Sequence, residues 1–452
     1  MKSLDKRPVI KKGETILTEK PFVYILNSKF RNERCDYCLE SGKLLKCSGC
    51  QYVMFCGRSC QKSAWKDHKP ECLSMKKVAP KVIPDAARIL GRIIHKLKNG
   101  GFQEKSFYTK TKFRMFRDLM SHYAEIKEDS KRIEHFISLN AVLQEFLGDV
   151  MIPNNVELMG MYGKLVVNGF NILDPEMSTI GTGIYLGCSV MNHSCEPTAI
   201  AVFEGTTISI RALVDFPEFE WSQVLISYVD LMNSTQWRQE ELMQTYYFLC
   251  DCNRCKGISE DKFENAMVCP RTGCGTPILV SREEISENSF SLSCPLCTEN
   301  ITTDRCTTFF EVFDFVQMHL ENMKDVAYLD VCKVCLKKQE NLFYDLNLSR
   351  VKVLDLAFDS CIQLQRWEDA NSYGPQLIPG YRKYYGENHP LLGILYLKLG
   401  KINNFLGKVK EAYEYLKCSE KILQITHGFG HTLYRQEFLP LMMELRFSLK
   451  NS

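Results

Sequence analysis

No stretch of this 452-residue sequence approaches the roughly 18 consecutive apolar residues that a membrane-spanning helix requires. The opening segment MKSLDKRPVIKKGE also lacks the apolar core of a secretory signal. A secreted or membrane-spanning protein is therefore not expected. Net charge is scarce too, since 57 Lys and Arg stand against 54 Asp and Glu, leaving +3. With 45% hydrophobic and 25% charged residues the chain is a globular one, which excludes wholesale disorder. Its length suggests about two to four domains at roughly 100–200 residues each.

The small net charge conceals an asymmetry. Residues 1–81 hold 18 Lys and Arg against 8 Asp and Glu, while the remainder holds 39 against 46. A basic first module suits an acidic or nucleic-acid partner, although many small zinc modules are basic and bind neither. No base-reading element is visible beyond the charge, so DNA binding is not expected.

Cysteine is the residue in excess, with 21 copies. In a long chain without a secretory signal, clustered Cys-x-x-Cys pairs read as metal sites rather than disulfides. The first run is Cys35-x2-Cys38-x8-Cys47-x2-Cys50-x5-Cys56-x3-Cys60-x7-His68-x3-Cys72. Seven thiols and one imidazole make two tetrahedral zinc sets. The spacing predicts interleaving, with Cys35, Cys38, Cys56 and Cys60 on one ion and Cys47, Cys50, His68 and Cys72 on the other.

The second run, Cys250-x-Cys252-x2-Cys255, supplies three thiolates and needs a fourth from elsewhere. The candidate is Cys195, in Met191-Asn-His-Ser-Cys195. A third run, Cys269-x4-Cys274-x19-Cys294-x2-Cys297, has zinc-ribbon spacing and predicts a fourth, structural zinc site. Cys332-x2-Cys335 lies in a helical stretch without a second pair and reads as core thiols. Cys188, Cys306, Cys361 and Cys418 read as packing residues.

Periodicity places these runs on a scaffold. Glu14–Leu26 is rich in β-branched and aromatic residues and predicts strands. Residues 82–150 read as helical, with apolar spacings of three and four in Ile83–Leu97 and Ile133–Phe146. Residues 151–255 read as β-type, notably Ala199–Phe203, Thr207–Ala212 and Val224–Val229. The remainder after residue 297 reads as nearly all helix. Within it, Leu364, Ala370, Tyr373, Gly386 and His389 recur as Leu406, Ala412, Tyr415, Gly428 and His431. Five identities at one offset predict stacked helix pairs of tetratricopeptide type, which present a concave surface to a peptide or protein.

The first cysteine run, with Trp65 and the Gln61–His68 segment, resembles the MYND zinc finger. Asn192-His193-Ser194-Cys195, then Tyr228, then the Cys-x-Cys-x2-Cys tail resemble the SET lysine methyltransferase core and its post-SET zinc site. In that order, with a helical repeat tail, they resemble the SET-and-MYND (SMYD) family over nearly the whole chain. The resemblance implies an α+β, multidomain fold. A truncated N-terminal SET portion (1–34) would precede a MYND finger (35–72) and a helical SET insertion (73–150). The core SET (151–235), a post-SET zinc site (236–260) and a TPR-like helical domain (306–452) would follow, with the zinc-ribbon insertion (261–305), read from its own ligand spacing and not from the resemblance, before the last. A knot-like crossing is expected near Asn192–Cys195, with the helical domain closing over a substrate cleft.

The activity implied is S-adenosylmethionine-dependent methylation of histone or non-histone lysines. Tyr228 matches the family's active-site tyrosine, and Tyr246 and Phe248 match the aromatics that wall the lysine channel and cofactor pocket. Asn192, His193, Asn168 and Ser189 match cofactor positions. The family's Gly-x-Gly loop has no counterpart before Ile10-Lys-Lys-Gly-Glu-Thr15, and Gly-Glu-Glu is absent from Phe216–Gln223. Thr198 replaces an expected asparagine, and Met120 and His122 stand where polar cofactor contacts are sought. Either the true start lies upstream, or cofactor binding is weakened; the latter supports an alternative, a SET/MYND scaffold of weakened activity in transcriptional regulation, docking proline-rich segments on its basic, aromatic-bearing finger. A lysine-containing peptide partner, a monomer, and nuclear and cytoplasmic residence follow from class alone.

Overall fold

The computed structural model describes residues 9–148, 151–257, 261–285, 291–323 and 328–451. The chain divides into two bodies, one of residues 1–226 and 241–249, the other of residues 227–240 and 250–452. The fold is α+β and multidomain, as the sequence implies. Among the described residues no helix is long and apolar enough to cross a membrane.

The first body is built on two small antiparallel sheets. In one, Thr207–Ala212 lies between Thr15–Glu19 and Ala199–Glu204; in the other, Thr179–Ile184 lies between Val23–Leu26 and Gly169–Leu173. Each sheet joins the N-terminal segment to residues far along the chain, so the intervening zinc finger and helices are an insertion within one β-fold. The expected strand region Glu14–Leu26 forms as two strands, interrupted at Lys20-Pro21 because proline cannot donate to a ladder. All four residues of Val23–Leu26 are buried, as in a strand covered on both faces.

Four helices cover these sheets: Arg58–Val78, Asp85–Lys98, Ser130–Leu147 and Asn155–Asn168. Their apolar faces share one core with Phe22, Ile25 and Ile184. The first two expected helical segments form, with Asp129 capping Ser130–Leu147 through the Lys131 and Arg132 amides. Two features depart from the sequence reading. A short hairpin, Ser106–Phe107 with Phe113–Arg114, interrupts the helical insertion. Residues 155–168 are helix rather than strand, since Asn154 accepts from the Glu157 amide and the 14-residue segment outlasts a typical strand. Gly163 in that helix is required by contact, because a Cβ there would stand 2.1 Å from the Ser121 carbonyl oxygen.

The second body is mainly helical. Helices Thr303–Asn322, Leu329–Gln339, Leu348–Gln363, Trp367–Tyr385, Pro390–Phe405 and Val409–Thr426 follow one another, ending in Leu439–Asn451. The 42-residue repeat is structural. The Leu364 amide donates to Ser360 O and that of Arg366 to Cys361 O, and Leu406 to Ile402 O and Lys408 to Asn403 O repeat the pattern. His389 Nδ1 accepts from the Leu391 amide at 3.3 Å, as His431 Nδ1 does from Leu433 at 3.1 Å. Gly386 and Gly428 both take positive φ, 92° and 80°, where each preceding helix ends. Leu364, Gly386 and His389, with their counterparts, are thus residues that end one helix or start the next, while Ala370 and Tyr373 lie inside a helix. Val224–Val229, read as a strand, forms only at Leu225–Ile226, because the Ser227 hydroxyl turns back to the Val229 carbonyl.

Candidate cofactor pocket and zinc sites

The two interleaved quartets of the finger come together as the spacing predicts. Within each set, Cys35, Cys38, Cys56, Cys60 and Cys47, Cys50, His68, Cys72, all ligand atoms lie within 4.8 Å of one another. Thiolates on one tetrahedral zinc, at about 2.3 Å each, stand roughly 3.8 Å apart, so both sets fit the ion. Cys38 and Cys56 sulfurs are 3.4 Å apart, and Cys47 and Cys72 sulfurs 3.9 Å. His68 turns its Nε2 to the second set, 3.3 Å from Cys47 Sγ and 3.6 Å from Cys50 Sγ.

Behind this histidine lies a buried network that the sequence did not announce. His68 Nδ1 is 3.3 Å from Glu71 Oε1. Glu71 also receives Arg88 at 2.8 Å and Arg92 at 2.6 Å, and both guanidiniums reach Asp36, the neighbour of ligand Cys35. Burial alone would raise the Glu71 pKa, but Arg88, Arg92 and His68 outweigh it and hold the carboxyl well below its usual range. Arg92 further donates to the Tyr24 carbonyl at 2.5 Å. The carboxylate therefore orients a zinc ligand, and the arginines tie both zinc sets to a strand of the central fold.

Apart from Cys188 and Cys195, which belong to the first body, the other cysteines lie in the second. Cys250, Cys252 and Cys255 bring their sulfurs together where the short helix Asn253–Lys256 begins. Cys269, Cys274, Cys294 and Cys297 form a closed quartet, also within 4.8 Å. Cys332 and Cys335 are fully buried in the helical core with Cys361, as core thiols. Cys188 and Cys306 are fully buried too, and Cys418 packs at the edge of the helical core.

The expected cofactor residues of the first body, Asn168, Ser189, Asn192, His193, Tyr246 and Phe248, occupy a helix end, a turn, a short strand and an aromatic segment. Ser189 sits in the turn Cys188–Val190, its hydroxyl donating to Leu186 O at 2.6 Å, and Arg114 donates to its carbonyl at 3.0 Å. Glu19, a buried carboxylate, holds this turn: its oxygens accept the Gly187 amide at 2.9 Å, the Cys188 amide at 2.8 Å and the Ser106 hydroxyl at 2.6 Å. Burial, and then the Glu19 charge, push the Cys188 thiol well above its usual range, so it stays neutral. Sequence reading missed Glu19; a lone glutamate ending a strand gives no signal.

Asn192–His193 pairs in parallel with Leu225–Ile226, and the Ser194 amide reaches Ile226 O at 3.0 Å. The His193 ring packs 6.0 Å from that of Phe248, and its Nε2 lies 3.3 Å from the sulfur of buried Cys195. Burial, then the charge of Glu241, raises the Tyr246 pKa to about 12, so its hydroxyl stays protonated. Between them Tyr247 takes a positive φ of 59°, hydrogen-bonds Asp129 at 3.3 Å and packs against His122. That left-handed residue is a second feature missed from sequence. Asn168 ends its helix with its amide donating to Met120 O at 2.8 Å and Lys164 O at 2.9 Å. Tyr228 is half-buried in the second body, in the segment that Ser227 and Asp230 shape through local hydrogen bonds.

Two ligand quartets on one basic module, inserted between the strands of a split β-fold, define a zinc-binding finger with further cysteine sites elsewhere in the chain. Residues 35–72 match the MYND finger family. Over nearly its whole length the chain is similar to SET-and-MYND methyltransferases, as its motifs imply. It is 29% identical to histone-lysine N-methyltransferase SMYD3 of Homo sapiens, across 96% of this chain and 92% of that protein. It is 28% identical to histone-lysine N-methyltransferase ASHR1 of Arabidopsis thaliana, across 97% and 91%. N-lysine methyltransferase SMYD2 of Homo sapiens is 26% identical, across 93% and 90%.

Proposed function

We propose that this chain is an S-adenosylmethionine-dependent protein-lysine N-methyltransferase. One observation carries the reading. The Asn192–His193 strand and the Tyr246–Phe248 segment, far apart in sequence, meet through the His193 and Phe248 rings beside the Ser189 turn. Similarity across nearly the full chain to proteins named as lysine methyltransferases supports it.

When bound, S-adenosylmethionine supplies an electrophilic methyl group on a sulfonium. Asn192, with neighbouring backbone and the His193 main chain, would hold its amino-acid end. The Ser189 turn and the side-chain oxygen of Asn168 would border it, and Tyr246 and Phe248 would exclude water. A lysine ammonium, with an ordinary pKa near 10.4, must lose its proton before attack, and an apolar channel favours that neutral form. The Tyr228 hydroxyl would orient the amine lone pair for in-line displacement. Cys195 is proposed as the fourth ligand of the Cys250, Cys252 and Cys255 set. The substrate would be a lysine-containing protein, met by a monomer in the nucleus and cytoplasm.

Tyr228→Phe tests this directly. It should cut methyl transfer to acceptor peptides by at least tenfold while zinc content and melting stay unchanged; undiminished turnover would remove Tyr228 from the mechanism. A docking role for the finger coexists with this reading. It is favoured by Trp65, 42% exposed, and Tyr37, 36% exposed, on the basic module. Proline-rich segments dock on such aromatic surfaces.

A further inference from the structure

We infer that Cys269, Cys274, Cys294 and Cys297 bind a zinc ion of their own, and that this ion fastens the ribbon to the start of the helical domain. The sulfurs are placed for it. Cys269 and Cys297 stand 3.5 Å apart and Cys274 and Cys294 3.8 Å, as edges of a tetrahedron around zinc require. Each pair of ligands comes from a tight turn of suitable conformation: Gly273 and Gly275 take φ of 79° and 65°, and Thr298 takes 59°. The Thr276 hydroxyl lies 3.1 Å from Cys274 Sγ, a hydrogen bond that steadies a thiolate. Four sulfurs complete the shell and leave no open position, so the site is structural rather than catalytic.

The strands around the ion cannot hold themselves. They are two hairpins of two-residue strands, Met267–Val268 with Pro277–Ile278 and Leu292–Ser293 with Asn300–Ile301. Isolated hairpins are marginal in water even when longer. Yet they carry a share of the helical core. Met267, Ile278, Cys294 and Ile301 are buried in one cluster with Cys306, Phe309 and Phe343. Val268 takes part in an extra strand-like contact, its amide donating to Leu342 O at 3.0 Å, and Tyr344 N donates to Ala266 O at 3.2 Å. Arg305, on the first helix Thr303–Asn322, reaches Val268 O at 3.1 Å and Asn341 O at 2.6 Å. The ribbon thus bridges the first helix and the turn that precedes the repeats, and the ion would join its two hairpins beside one long hydrogen bond, from Arg271 to the Cys297 carbonyl at 3.5 Å. Losing it would free the floor under Phe309 and Phe343.

This inference does not rest on the methyltransferase reading. Native full-length protein is treated with N-ethylmaleimide, with and without a zinc chelator, and each cysteine is read by peptide mass spectrometry beside total zinc and iron. Cys269, Cys274, Cys294 and Cys297 should be protected at least tenfold before chelation and become labelled together, as zinc leaves. Labelling of all four in untreated, zinc-replete protein would overturn the proposal, as would iron held there in place of zinc. Cys294→Ser with Cys297→Ser should lose one zinc per chain. In the same variant, hydrogen exchange should accelerate at least tenfold in 303–323 and 339–347, with the finger's thiols still protected. Unchanged exchange there would reject the fastening role, and Cys332→Ala, with zinc content unaltered, serves as the control for a core thiol.

Discussion

His68 presents one ring nitrogen to the sulfurs of Cys47 and Cys50 and the other, Nδ1, to Glu71 Oε1 at 3.3 Å. The carboxylate fixes which nitrogen is free to bind metal. Because the same carboxylate holds Arg88 and Arg92, and Arg92 holds the Tyr24 carbonyl, the finger is wired into the β-fold it interrupts.

Glu71→Gln should therefore weaken zinc at the second finger set by about 10–100-fold, the usual range for such outer partners. Chelator titration with site-resolved thiol labelling would show Cys47, Cys50 and Cys72 opening before Cys35, Cys38, Cys56 and Cys60. Simultaneous opening of both sets would remove Glu71 from this role. Leaving two buried arginines short of one charge should also lower stability by ~3 kcal/mol or more, read by denaturant unfolding.

Glu19 makes a similar prediction for the turn carrying Ser189. In Glu19→Gln an amide NH2 must face either the Gly187 or the Cys188 N–H, so one buried donor goes unmatched. A loss of about 1–3 kcal/mol is expected, with weaker S-adenosylmethionine binding. Full stability and binding in the variant would show that the turn holds without it.

In the helical body, Asp355 is half-buried beneath Tyr381, whose hydroxyl donates to it at 2.5 Å. Burial, then the charges of Asp359 and Asp230, raise its pKa to about 7, against the opposing Tyr381 bond and Lys398. The folded state thus binds this proton more tightly than the unfolded chain, whose aspartates titrate near 3.9. Stability contributed by the protonated form is complete below about pH 4 and is lost as pH rises to about 7 and above. Asp355→Asn should flatten that dependence and raise stability at pH 8 by roughly 1 kcal/mol or more. Melting curves of both proteins from pH 5 to 8 check it; parallel curves would contradict it.

Metal chemistry was the most legible part of the sequence, because ligand spacing is local and zinc tolerates few geometries. The quartets of the finger and ribbon assembled as their spacing predicts. The 42-residue repeat was legible for a related reason, since Leu364, Gly386 and His389 do local work at helix ends that their counterparts must repeat. Helix 155–168 was misread because it lies within a stretch rich in β-type segments, and the Asn154 cap with the helical spacing of buried Leu158, Tyr162 and Leu165 distinguishes it from strand. Glu19, Glu71 and Tyr247 stayed hidden because their partners lie far along the chain or depend on a single positive φ.

The central claim rests on whether the Ser189 turn, the Asn192–His193 strand and the Tyr246–Phe248 segment form a working cofactor pocket. Isothermal titration of zinc-replete protein with S-adenosylmethionine tests it most directly. One saturable site with micromolar affinity is expected, weakened at least tenfold in Asn192→Ala while zinc content holds. Absence of binding by folded, zinc-replete protein would contradict it.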